Sequence, residues 1–145
     1  MNILLLLHSI TRYLVLIALL GVIFQSLAGM LQSKPFSKLD DKASLWLFIF
    51  THTQLLLGIL LYFISPIVIF SGTSMKDATA RYWLVEHISM MLIAIVLITM
   101  ARITAKKLST DAAKHKRLFI FNTLALVFII LSISMSGRGF FNLPE

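Results

Sequence analysis

Four long apolar stretches alternate with short polar clusters along the chain, at about residues 3–31, 43–65, 82–105 and 111–135. Each reaches the roughly 18–20 residues that a helix needs to cross about 30 Å of hydrocarbon. The connections between them are short, which predicts an all-α integral membrane four-helix bundle of up-down-up-down topology, a single domain over 1–145. The polar clusters read as turns. Residues 33–42 carry Pro35 and several charges, 66–81 carry Ser71-Gly72-Thr73-Ser74, and Thr110 or Asp111 offers a cap for the last helix. Tyr82 and Trp83 look like an interfacial aromatic belt. The first apolar run is about twice the 7–15 residues of a signal-peptide core and has no basic flank, so it is expected to be a retained helix.

Composition agrees with a bilayer as solvent: 59% of residues are hydrophobic, 13% are charged, and mean hydropathy is +0.93. The cations are unevenly divided. Lys34, Lys38, Lys42, Arg102, Lys106, Lys107, Lys114, Lys116 and Arg117 fall at the ends joined by the first and third loops, and Arg12, Lys76, Arg81 and Arg138 at the other. Nine against four predicts a cytoplasmic first and third loop, with both termini and the second loop on the outer side. A basic rim facing anionic lipid then accounts for the net charge of +7 without nucleic acid. With no cysteine, disulfides, iron–sulfur clusters and covalently attached c-type haem are excluded.

Ionisable groups inside apolar helices are costly and mark function. His8 and Arg12 lie four residues apart on one helical face, with Ser26 and Gly29 near the same stripe. On the second helix His52 and Gln54 differ by about 200°, whereas Gln54, Gly58 and Tyr62 share a face. That helix must therefore meet neighbours or a cofactor on two sides. Gly58 suits the close approach of something bulky, or a plain small-residue helix contact. On the third helix His87, Met90, Met91, Ala94, Ala101 and Ala105 trace one stripe. On the fourth, His115, Phe119 and Asn122 share a face, although His115 among Lys114, Lys116 and Arg117 reads equally as a solvated interfacial residue.

Each helix thus carries one histidine, a distribution that suits axial ligation of haem iron within a bundle. A rise of 1.5 Å per residue puts His8 roughly 13 Å and His87 roughly 9 Å to the outer side of the midplane, a match within about a turn. His52 and His115 fall roughly 4 and 15 Å to the inner side, a mismatch of about two turns. The outer pair is therefore the expected haem site and the inner pair a second candidate. Arg12 and Arg81 outside, and Arg102 or Arg117 inside, are available for the anionic propionates. Glu86 points about 100° away from His87 and is a candidate proton acceptor at an outer quinol site.

The segments His-Ser-Ile-Thr-Arg-Tyr at 8–13, Phe-Thr-His-Thr-Gln-Leu-Leu-Leu-Gly at 50–58, Val-Glu-His at 85–87 and Lys-His-Lys at 114–116 resemble a family of small bacterial membrane proteins labelled cytochrome b. The resemblance covers nearly the whole chain. The arrangement is also similar to the four-helix core of diheme b-type cytochromes that exchange electrons with quinol, ascorbate or superoxide. It implies His8 with His87 on one haem and His52 with His115 on another.

Two functions of different class follow. One is a b-type electron carrier, a quinol-linked oxidoreductase or electron-transfer subunit, with one or two haems as cofactor and a quinone as redox partner. The other is a non-haem accessory subunit of a larger membrane complex or homo-oligomer, or a proton or metal-ion carrier built on the inward His, Glu and Arg residues.

Overall fold

The computed structural model describes residues 2–142. Four long helices make up the molecule: α1 (Ile3–Leu31), α2 (Lys38–Ile64), α3 (Ala78–Lys107) and α4 (Asp111–Met135). All four are long and apolar enough to span a bilayer, as expected of a multi-pass membrane protein. Their ends follow local chemistry. Asn2 caps α1, accepting from the Leu4 amide at 2.9 Å, and Thr110 caps α4 at the Ala113 amide.

Two helices begin earlier than hydropathy predicts. α2 starts at Lys38, not 43, because Ser37 and Asp40 form a reciprocal capping box that recruits the charged turn into the helix. It ends at Ser65, extended before Pro66. α3 starts at Ala78, not 82, capped by Asp77, and runs on to Lys107. Between α2 and α3, Gly72–Lys76 forms a 3-10 turn. Within α3, Tyr82–Glu86 forms a π turn whose closing bond runs from the His87 amide to the Tyr82 carbonyl, five residues back. Such turns inside α-helices are uncommon and frequent at functional sites.

α1 packs on α2 and α4, and α3 on α4 and α2, so the helices form a ring in chain order with α1 facing α3, and α2 facing α4, across the diagonal. The core is a seam of Val15, Leu19 and Val22 from α1, Leu47 from α2, Ala94, Ile98 and Ala101 from α3, and Leu118, Ala125 and Ile129 from α4. Alanines on α3 and α4 let the helix backbones approach closely. The small-residue stripe read on α3 is thus an inner face, and so is the Ser26–Gly29 stripe of α1. Large apolar side chains such as Ile17, Phe24, Leu56, Phe63 and Val127 point outward, where lipid receives them.

Candidate functional site

The polar face of α2 turns towards α1 and α3. The Gln54 amide donates to the His8 carbonyl at 2.9 Å, and the Tyr62 hydroxyl donates to the Leu84 carbonyl in the π turn at 2.8 Å. Gly58 lies between them against the His8 ring: a Cβ there would stand 3.2 Å from His8 Cε1. The predicted stripe Gln54, Gly58, Tyr62 therefore exists as one contact surface. His8 Nδ1 is buried with no hydrogen-bond partner, and so is Arg12 Nε. The outer nitrogen of that guanidinium, Nη2, donates to the Tyr13 hydroxyl (3.0 Å) and to the Asn142 carbonyl (3.3 Å).

On α3 the π turn delivers His87 into the bundle. The Tyr82 hydroxyl donates its single proton to the Ser132 carbonyl of α4 at 2.6 Å, so towards His87 its oxygen can only accept. His87 Nδ1 lies 3.4 Å from both that oxygen and Ser132 Oγ. With the proton on Nδ1 both oxygens can accept and Nε2 keeps its lone pair, the form in which histidine binds metals. Trp83 packs on the His87 ring at 5.4 Å between centroids and is covered by Arg138. His8 and His87 stand on helices that face each other across the diagonal of the bundle.

Tyr82 itself corrects the reading of an interfacial belt residue. Its side chain is buried at 4% exposure and its hydroxyl lies inside the bundle. Arg81 and Glu86 find each other: Nε donates to the Glu86 carboxylate at 2.8 Å, and Arg81 Nη1 donates to the Met75 carbonyl. The π turn sets the two residues on one side of α3, so each already has a partner.

The inner histidines differ. His52 donates from Nδ1 to the Phe48 carbonyl at 2.8 Å, which leaves Nε2 with its lone pair, 3.4 Å from Thr99 Oγ1, whose own proton goes to the Ile95 carbonyl at 2.7 Å. His115 has only 1% exposure, which overturns the solvated reading. It donates from Nε2 to the Lys34 carbonyl at 3.1 Å, its ring packs on Phe36, and its Nδ1 is buried without a partner. A Cβ on Gly29 would overlap the ring, so the glycine is needed there. Arg102, considered for a propionate, is buried and donates to the Asp41 carbonyl (3.0 Å) and Ser44 Oγ (3.1 Å), pinning the start of α2 to the end of α3.

A bis-histidine haem asks for two imidazoles with uncommitted nitrogens and a cation for its propionates. The outer end meets that requirement with His8, His87 and Arg12. At the inner end His52 Nε2 and His115 Nδ1 are both uncommitted, but the His115 ring is tied through Nε2 to the Lys34 carbonyl and packs on Phe36, with Nδ1 turned against the Gly29 backbone; a second haem held between His52 and His115 does not fit this placement. Among the described residues no three His, Asp or Glu side chains converge as a metal-ion site would require. No family model, curated protein or solved structure matches the chain.

Proposed function

We propose that the chain is a b-type haem protein of the membrane, carrying electrons through a haem held at the outer end between His8 of α1 and His87 of α3. The observation that supports it best is the pair of diagonal imidazoles, one with a buried unpartnered nitrogen and the other held at Nδ1 by Tyr82 and Ser132. Leaving polar groups unsatisfied in an apolar bundle costs about 1–3 kcal/mol each, which a ligand would relieve. When bound, haem supplies one-electron redox chemistry, with its potential set by axial ligands and their hydrogen bonds.

The chain's own residues orient and shield. Gln54 and Gly58 set the α1 histidine, Tyr82 and Ser132 set the α3 histidine, and Arg12 offers charge to an anionic edge. Absence of cysteine excludes a thioether-attached c-type haem, so the proposed group is held without a covalent bond to the chain. A quinone is the proposed redox partner, since it shares the bilayer with the outer end of the bundle. Nine of the thirteen cations at the opposite end support an orientation with that end cytoplasmic, in a bacterial inner membrane.

The test is a reduced-minus-oxidised spectrum with a pyridine haemochrome count on protein from haem-replete cells. One haem per chain, lost in His87→Ala and His8→Ala, is expected. Colourless wild-type protein would overturn the reading, and zinc or copper without iron would favour the ion-carrier function instead.

A further inference from the structure

The opposite end of the bundle carries a second feature that haem chemistry does not use. We propose that it binds the phosphate of one anionic phospholipid, in a surface cavity of about 420 Å³ bordered by Lys38, Lys106 and Lys114. The three lysines come from three helix ends: the first residue of α2, the last turn of α3 and the first turn of α4. Convergence of like charges from separate elements is unfavourable unless an anion joins them.

The neighbouring acids do not supply it. The Asp41 carboxylate, on the cavity wall, is paired with Arg102 at 3.4 Å. The Asp40 carboxylate accepts from the Ser37 amide at 2.9 Å and the Ser37 hydroxyl at 2.8 Å, closing the helix cap. Among the described residues none of the three lysines forms an ion pair. Phe36 forms an apolar wall and lies under Lys114 Nζ, 5.4 Å from the ring centroid.

Depth selects the ligand's source. The cavity lies where three membrane-spanning helices end, at the level of lipid headgroups. A headgroup phosphate is already confined there, so its association costs less translational freedom than that of free phosphate from solution. Basic pockets at the ends of membrane helices are the recognised chemistry for anionic headgroups.

The experiment is native mass spectrometry of detergent-purified protein titrated with phosphatidylglycerol, with phosphatidylcholine and inorganic phosphate as separate arms. Wild type should retain one phosphatidylglycerol and prefer it to phosphatidylcholine. The triple variant Lys38→Gln/Lys106→Gln/Lys114→Gln should bind roughly 100-fold more weakly, at about fivefold per lysine. The corresponding triple Lys→Arg variant should keep binding. Removing the same charge elsewhere on that end, with Lys34→Gln/Lys42→Gln/Lys107→Gln, should change affinity less than about threefold. Equal weakening by both neutral triples would overturn the site in favour of a diffuse basic field. Binding of inorganic phosphate with no preference for phosphatidylglycerol would overturn the lipid as ligand. Neither readout depends on haem, so failure here and failure of the cytochrome reading are separable.

Discussion

The His8 imidazole rests on the bare backbone of Gly58, with Cε1 3.2 Å from where a Cβ would stand. Alanine there requires a shift of a few tenths of an ångström, and a branched side chain requires more. Gly58→Val is expected to push His8 out of register with His87 and to cost about 1–3 kcal/mol by overpacking. The matched control is Gly21→Val, since nothing lies within 4 Å of that position. Haem-to-protein ratio and thermal midpoint in detergent should both fall at 58 and hold at 21. Equal behaviour of the two variants would contradict the assigned contact.

Tyr82→Phe removes the second hydrogen bond at the Ser132 carbonyl, which keeps the Ser136 amide at 3.1 Å, and one of the two oxygens beside His87 Nδ1. A stability loss of about 0.5–1.5 kcal/mol is expected from the lost buried hydrogen bond. The hydrogen bond on Nδ1 raises the basicity of the imidazole as a ligand, so its loss should move the haem midpoint potential upward. Ser132→Ala keeps the carbonyl and the Tyr82 bond, and should give the smaller shift of the two. A redox titration of both variants decides it; an unchanged potential in Tyr82→Phe would mean that the tyrosine only packs.

These contacts show which features were legible in the sequence. The spans of α1 and α4 follow from apolar length bounded by a capping residue, Asn2 or Thr110, and both clues are local. The start of α2 was misjudged because hydropathy ignores a charged first turn, although Ser37 and Asp40 at capping-box spacing carried the signal. Tyr82 beside Trp83 looks like an interfacial pair, but the π turn rotates it inward, and nothing in an i, i+4 pattern announces a five-residue closure. Depth arithmetic sets His115 at the end of its span among lysines and arginine, where a solvated side chain is the simple expectation. Its burial comes from Phe36 and Lys34 folding over it, a contact between distant positions that helical periodicity does not encode.

His115 provides a direct count of cofactors. With its Nε2 proton on Lys34 and its ring over Gly29, it ties the first loop to α4. His115→Asn is expected to lower stability by about 1–3 kcal/mol while leaving haem content unchanged. Gly29→Ala should destabilise similarly, because its Cβ would overlap the ring. If a second haem hangs on His115, the pyridine haemochrome value of His115→Asn will drop by about half, against the bis-histidine geometry argued for a single outer site.

Two arginine–carboxylate pairs on α3 offer a final contrast. Arg81 and Glu86 approach to 2.8 Å, yet their side chains are 38% and 27% exposed. Arg102 and Asp41 are longer at 3.4 Å and the Asp41 side chain is 43% exposed, but the Arg102 side chain is 10% exposed and also serves the Asp41 carbonyl and Ser44 Oγ. Distance alone would rank the first pair as stronger. Solvent screening levels the two ion pairs, each partly exposed and contributing about 0–1 kcal/mol, so the other hydrogen bonds of the buried guanidinium set the order. Removing a buried donor strands its acceptors at about 1–3 kcal/mol. Arg102→Met should therefore lower the detergent thermal midpoint clearly more than Arg81→Met, and should loosen the capped start of α2 to hydrogen exchange. A larger loss from Arg81→Met would mean that the outer pair, next to His87, braces the π turn more strongly than its exposure implies.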